Sequence, residues 1–376
     1  MFRHIVFYLL ALLIPIYFLI VVIGNYARGR GISNLSNKSY LPSINVVGYS
    51  LASAYPSYAP KGFGGDSMQA LPDIKLNPWF VTGFADAESS FTMSVFKSKT
   101  AAIGWTIEPC FIITLHIKDI ELLNKIQLFF GVGSVSTTGN KFARYRVRSR
   151  QDLKVIIAHF EKYPLQTSKF INFMSFCKIL EHMHNKLHAT VPGFLKLLSL
   201  INRLNNPLSE SLLENLAPLG KIPNVDLELS SVESLNIKDK LDPWWISGFA
   251  TGESSFTFFT RKRVNAAGNI VKDYTLIFEI GQKSDNLYLL NLIVSSMGFG
   301  KVYTEKRGIS KFRLVPRDQI LNDLVPFFEK YPLEGNKALQ YSVWIKIVDA
   351  LHKNPRSAHR ENKVETLIKE LSSLNK

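Results

Sequence analysis

Cysteine is nearly absent from this chain. Cys110 and Cys177 are the only two in 376 residues, which excludes a disulfide-stapled scaffold and any multi-cysteine zinc site. There is no P-loop, no G-x-G-x-x-G and no G-x-S-x-G, so the usual signatures of phosphate-cradling loops and of serine hydrolases are missing. Acidic residues are scarce beside basic ones, 30 against 45, for a formal charge of +15. That balance favours a polyanionic partner, nucleic acid first and an anionic membrane second. His182, His184 and His188 cluster without a nearby cysteine, which reads as the polar end of a helix rather than a metal site.

The N-terminus is a different object. Residues 5–24 carry no charge, with Arg3 before them and Arg28 and Arg30 after. That run is long enough to span a bilayer. Residues 1–30 are therefore set apart as a hydrophobic, membrane-like segment. Residues 31–75 mix Gly, Ser, Pro, Asn and Tyr without periodicity and read as a flexible linker.

The rest of the chain says nearly the same thing twice. Pro78-Trp79-Phe80-Val81-Thr82-Gly83-Phe84-Ala85-Asp86-Ala87-Glu88-Ser89-Ser90-Phe91 returns as Pro243-Trp244-Trp245-Ile246-Ser247-Gly248-Phe249-Ala250-Thr251-Gly252-Glu253-Ser254-Ser255-Phe256. Phe160-Glu161-Lys162-Tyr163-Pro164-Leu165 returns as Phe328-Glu329-Lys330-Tyr331-Pro332-Leu333. Two long repeats imply an internal pseudo-dimer, in which a two-fold axis sets like faces together. The contact face can be named. Gly83 and Ala87, like Gly248 and Gly252, are four apart and share a helix face. Small residues at that spacing let two backbones approach closely. Pro78 and Pro243 suit helix starts. Glu88 and Glu253 then sit where a helix gives way to a strand, beside the axis. Two carboxylates brought together there repel unless a cation lies between them.

Strand patterns follow each acid. Phe91, Met93 and Val95 alternate with Ser90, Thr92 and Ser94, with Phe96 as an exception; Phe256 and Phe258 alternate with Ser255 and Thr257, and Arg261 and Arg263 follow. Period two means a half-buried strand. Arg144, Arg146 and Arg148 stand on one sheet face, and Lys311 and Arg313 are their counterparts. A basic sheet face with no opposing carboxylates fits phosphate and base-edge contacts, and a β-ribbon can enter the major groove. Helices are expected over 170–204, 209–216, 338–351 and 364–374, with an inter-repeat linker at 205–240. The repeats are bounded at 76–204 and 241–376, each reading helix, strands, helix, strands, helix.

VTGFADAES and ISGFATGES resemble the LAGLIDADG signature, and residues 76–376 resemble a single-chain, two-repeat LAGLIDADG homing endonuclease of the fungal mitochondrial, group I intron-encoded type. Supporting strings are Phe111 to Asp119, the Gly131-Val132-Gly133 turn, Asp152 to Ile157 and both FEKYPL copies. The resemblance implies an α/β (α+β) fold of two pseudo-symmetric αββαββα repeats whose sheets form a DNA-binding β-saddle. It implies a monomer that cuts double-stranded DNA at a long asymmetric site and promotes intron mobility. It implies Glu88 and Glu253 as catalytic, Mg²⁺-binding acids, Gln282 as a polar residue of the active site, and a basic residue sought at Arg148 or Arg317. Ser90, Thr92, Ser94, Arg144, Arg146, Arg148, Ser255, Thr257, Arg261, Arg263, Lys311 and Arg313 are the expected DNA contacts. Asp86 has Thr251 as its counterpart, so it is expected to be structural, and Ser89 and Ser254 replace the signature's final glycine. A mitochondrial location follows, with residues 1–30 either the remnant of an upstream exon or an anchor giving membrane association through 5–24.

Two other function classes stay open. An RNA maturase, binding its own intron RNA as a splicing cofactor, would keep its activity without the acids. A membrane-tethered, non-enzymatic protein would bind nucleic acid weakly and independently of salt. A glycosidase also uses two carboxylates, but the basic sheet argues against it.

Overall fold

The computed structural model describes residues 75–202, 204, 207–224, 239–305, 308–353 and 357–375. The hydrophobic run at 5–24 and the linker reading of 31–74 lie outside them. Among the described residues no helix is long and apolar enough to cross a membrane.

Each half starts with a helix whose entry is fixed by its own sequence. Helix α1 (Pro78–Glu88) begins with proline, and the Asn77 side chain accepts from the Trp79 amide at 2.9 Å. Helix α7 (Pro243–Glu253) begins the same way, with Asp242 accepting from the Trp244 amide at 2.9 Å. A side-chain acceptor satisfies an orphan N–H, and proline wastes none. Both helices stop where the backbone turns extended, at Ser89 and Ser254.

In the first half α1 leads into β1 (Ser89–Lys97), β2 (Trp105–His116), α2 (Ile120–Phe130), β3 (Ser134–Thr138) and β4 (Phe142–Val147). Three longer helices follow, α3 (Arg150–Lys162), α4 (Lys169–His184) and α5 (Val191–Ile201), then the short α6 (Glu210–Leu216). In the second half α7 leads into β5 (Ser254–Val264), β6 (Ile270–Lys283), α8 (Leu287–Met297), β7 (Lys301–Glu305) and β8 (Ile309–Leu314). A helical stretch over 317–330, here α9, has a π turn at Ile320–Leu324. It precedes α10 (Gly335–Lys353) and α11 (Ala358–Leu374). The sheets are four-stranded and antiparallel, ordered β1-β2-β4-β3 and β5-β6-β8-β7. Each half thus carries the αββαββα pattern plus helices beyond it, α4 to α6 in one and α10 and α11 in the other.

Two cores mirror one another. Phe91, Phe111, Phe160 and Phe176 cluster in the first, and Phe256, Phe278, Phe328 and Trp344 in the second. Within each half the two duplicated strings pack together. Trp79 meets Tyr163, and Trp244 meets Tyr331, both edge-on at 5.4 Å and 85°. Thr82 donates to the Tyr163 carbonyl at 3.0 Å, and Ser247 to the Pro332 carbonyl at 2.7 Å. The described residues belong to one compact unit, and its halves join through α1 and α7. An ideal Cβ on Gly83 would lie 2.0 Å from the Trp245 carbonyl oxygen, and one on Gly248 would lie 2.0 Å from that of Phe80. Only glycine permits so close a crossing.

Candidate active site and nucleic-acid interface

The crossing decides where the acids go. Glu88 and Glu253 are the last residues of α1 and α7, both half-buried. Gly252 lies between them: an ideal Cβ there would be 2.5 Å from Ala87 Cβ and 3.0 Å from Glu88 Oε1. Glu88 lines a cavity of about 300 Å³ together with Asp119, His116 and Lys337. Burial pushes the Glu88 carboxyl above its ordinary 4.5; Lys169 and Lys337 oppose this and Asp119 adds to it. Burial raises Glu253 as well, and the Glu88 charge raises it further. A hydrogen bond with Gln282, then Lys169 and Lys337, act the other way. Asn286 donates to Gln282 Oε1 at 3.0 Å, which leaves the Gln282 amide N–H₂ to donate toward Glu253.

Lys169 and Lys337 complete this cluster, and the sequence reading passed them over. Lys169 Nζ donates to the carbonyls of Ala85 at 2.9 Å and Ala87 at 3.3 Å, in the last turn of α1. Lys337 Nζ donates to the Ser254 carbonyl just past α7. An ammonium at a helix C-terminus satisfies orphan carbonyls and complements the helix dipole. Burial lowers both lysines from their ordinary value, while Glu88 and Glu253 are among the charges that raise them. A signal was present. Each lysine follows the leucine of a FEKYPL copy by four residues, Leu165 to Lys169 and Leu333 to Lys337. Arg148 and Arg317, where the resemblance sought the basic residue, make their bonds elsewhere. Arg148 pairs with Glu108 at 3.2 Å, and Arg317 donates to the Leu351 carbonyl at 3.1 Å.

Asp86 is buried and spent on structure. It accepts from the Gln166 amide at 2.8 Å, the Thr167 amide at 3.2 Å, the Thr167 hydroxyl at 2.6 Å and Trp245 Nε1 across the crossing at 2.9 Å. The mirror bond cannot form, because Phe80 stands where Trp245 has its mate and Thr251 where Asp86 does. Thr251 instead accepts from the Glu334 amide at 3.4 Å.

The two sheets present unequal faces. On the first, Ser90, Thr92 and Ser94 point away from the core with Arg144 and Arg146. Arg146 donates to Ser136 at 3.0 Å. On the second, Ser255, Thr257, Arg261 and Arg263 share a face with Lys311 and Arg313. Neither face is free of carboxylates, and here the expectation fails: on the first sheet Glu108 lies opposite Ser94 and pairs with Arg148 at 3.2 Å, and on the second the pairing is denser. Glu279 pairs with Arg313 at 3.0 Å and Lys311 at 3.3 Å, and Glu305 with Lys311 at 3.2 Å. Arg263 pairs with Asp273 at 2.6 Å. Cross-strand register is the cause. Glu279 lies directly opposite Arg313, whereas Ile112 occupies the matching place opposite Arg146.

Among the described residues no three His, Cys, Asp or Glu side chains gather as a metal cluster; His182 and His184 sit at the end of α4 and His188 in a following turn. A pair of half-buried, raised carboxylates with no direct ion pair among the described residues remains, and such a pair suits a hard divalent cation.

The family model for LAGLIDADG endonucleases matches residues 81–180 and 246–348. This chain belongs to the LAGLIDADG endonuclease family. It is 33% identical over 278 residues to probable intron-encoded endonuclease 3 of Neurospora crassa, covering 73% of this chain and 50% of that protein. Probable intron-encoded endonuclease 2 of the same fungus is 32% identical over 281 residues, covering 73% of this chain and 60% of the relative. The chain therefore spans half to three fifths of the length of these curated relatives. Among solved structures it is similar to I-SmaMI bound to an uncleaved DNA target in the presence of calcium ions. The TM-score is 0.69 and the identity 31%, over 80% of this chain and 100% of the I-SmaMI chain. The two antiparallel sheets and the paired motif helices are thus a LAGLIDADG fold.

Proposed function

We propose that this chain is a site-specific double-strand DNA endonuclease, encoded in a fungal mitochondrial intron and acting as a monomer on one long asymmetric site. The observation that carries the reading is the α1/α7 crossing, which brings one acid from each repeat together with two half-buried lysines around them. A two-sided site of this kind has one half for each DNA strand.

Glu88 and Glu253 would hold Mg²⁺, with water, nearby carbonyls and DNA phosphates as further oxygen ligands. When bound, the cation lowers the pKa of a water nucleophile and neutralises charge on the leaving oxygen. The chain's own groups do the rest. Gln282, held by Asn286, fixes the Glu253 carboxylate. Lys169 and Lys337 are anchored on helix-end carbonyls, close enough to stabilise the pentavalent phosphate's negative charge without reorganising. Arg144, Arg146, Arg261 and Arg313 would set the register on phosphates, and Ser90, Thr92, Ser94, Ser255 and Thr257 would meet base edges.

The test is cleavage by the full chain with Mg²⁺ on DNA spanning the intronless insertion site, beside Glu88→Gln and Glu253→Gln. Each variant is expected to bind with similar affinity while its double-strand cutting falls at least about a hundredfold, the scale of losing a preorganised charge-stabilising group. Undiminished cutting by both variants would sink the assignment. Intact splicing of the intron by both, with no cutting by the wild type, would move the function to RNA.

A further inference from the structure

The outward face of β5 is polar or charged at Ser255, Thr257, Arg261 and Arg263, with Phe259 in the middle of the row. Phe259 is 66% exposed and lies opposite Thr275 on β6. Among the described residues no aromatic ring packs against it. Four other large apolar side chains stand exposed on these faces: Phe96, Phe142, Tyr303 and Ile309. They differ from it. The Arg313 guanidinium lies 5.5 Å over the Tyr303 ring, Phe142 lines the Glu88 cavity, and Phe96 and Ile309 are 44% and 39% exposed. Register places Phe259 five residues into its strand from Ser254, where the first repeat has Ser94 five residues from Ser89.

A single exposed phenylalanine on a solvated surface needs no explanation. On a face that the proposed function lays against a duplex it does, because most of what surrounds it there is polar. The major-groove edge offers one apolar group, the 5-methyl of thymine. Arg261 and Arg263 follow the ring on the same face of its own strand, and Asp273 holds Arg263 in place, so the backbone to one side of that base has cationic partners. We infer that Phe259 is a specificity-determining residue that packs on a thymine methyl in the half-site under the second repeat, with no matching preference under Ser94 in the first. This inference rests on the endonuclease reading.

The experiment replaces each thymine in turn by deoxyuridine, which removes only the methyl, in a duplex that the full chain has selected from a randomised library. Affinity is measured by anisotropy without divalent metal. Wild type is expected to lose about fourfold at one thymine of the second half-site, the fold-change for about 0.8 kcal/mol of lost methyl burial. Phe259→Thr should bind the parent and the deoxyuridine duplex equally. A scan in which no position separates wild type from Phe259→Thr overturns the inference. If that flat scan comes from protein that still cuts the selected duplex, the endonuclease reading stands alone. Failure to select or bind any duplex overturns both.

Discussion

Replacing Gly83 by alanine puts the helix crossing under direct test. The added Cβ would meet the Trp245 carbonyl oxygen at 2.0 Å, its carbon at 2.8 Å and the Phe249 amide nitrogen at 2.9 Å. All three are backbone atoms, so no rotamer change relieves the clash. Ordinary contact begins near 3.4 Å, and α7 must therefore withdraw by roughly 1.4 Å, the difference between the two distances. Withdrawal also opens the mirror contact of Gly248 with Phe80 and Phe84. Overpacking a close-packed core costs about 1–3 kcal/mol and occasionally more, and a two-helix seam lies at the upper end. Thermal unfolding of the full chain should show a Tm lower by roughly 4–5 °C. Gly281→Ala is the control, since a Cβ there meets nothing within 4 Å, and its stability should stay within about 0.5 kcal/mol of wild type. The double variant Gly83→Ala with Gly248→Ala should cost less than the sum of the singles, because one displacement relieves both clashes. A Gly83→Ala Tm equal to that of Gly281→Ala, or strict additivity in the double variant, would refute the account of the crossing.

Two further outcomes follow from the buried charges. His159 sits among Phe129, Phe130 and Phe160 and bonds Thr82 Oγ1 at 3.0 Å, and burial lowers its pKa from 6.5 to about 4. The folded state prefers the neutral ring, so this stability is full above pH 6.5 and is lost as pH falls to about 4, up to roughly 3 kcal/mol at 1.36 kcal/mol per unit; a His159→Phe variant whose denaturant midpoint falls just as steeply over that window would contradict it. Glu88 and Glu253 have the opposite sign: their raised pKa values make stability full below 4.5 and smaller as pH rises through the folded values. At neutral pH, Mg²⁺ or Ca²⁺ should therefore stabilise the metal-free chain, by about 1.4 kcal/mol for each tenfold excess over Kd, and should not stabilise Glu88→Gln with Glu253→Gln; equal rises in Tm for both proteins would place the cation elsewhere.

How much of this was readable beforehand depends on the range of the interaction. Helix starts at Pro78 and Pro243 and the strands after Glu88 and Glu253 depend on neighbours in the chain, and periodicity found them. The meeting of α1 and α7 is long-range, yet duplication revealed it, because a repeated small-residue face implies a partner like itself. Glu279 was different. Its place opposite Arg313 depends on which strand pairs with which and in what register, and the string Lys311-Phe312-Arg313 holds no trace of an acid from β6. The bond from Trp245 to Asp86 hid in a departure from the repeat, since Thr251 and Phe80 show only that something changed in both halves. Lys169 and Lys337 belong with the readable part. They stand 168 apart (337 − 169), the same spacing as Phe160 and Phe328 (328 − 160). Identity between the FEKYPL copies stops at leucine, and Gln166-Thr167-Ser168 and Glu334-Gly335-Asn336 merely bridge to the next shared residue. In a pseudo-symmetric protein, identity marks where both halves make the same packing contact. A lone charged residue that returns after a divergent stretch marks where both halves need the same chemistry, and it can be found by holding the offset fixed rather than by following the match.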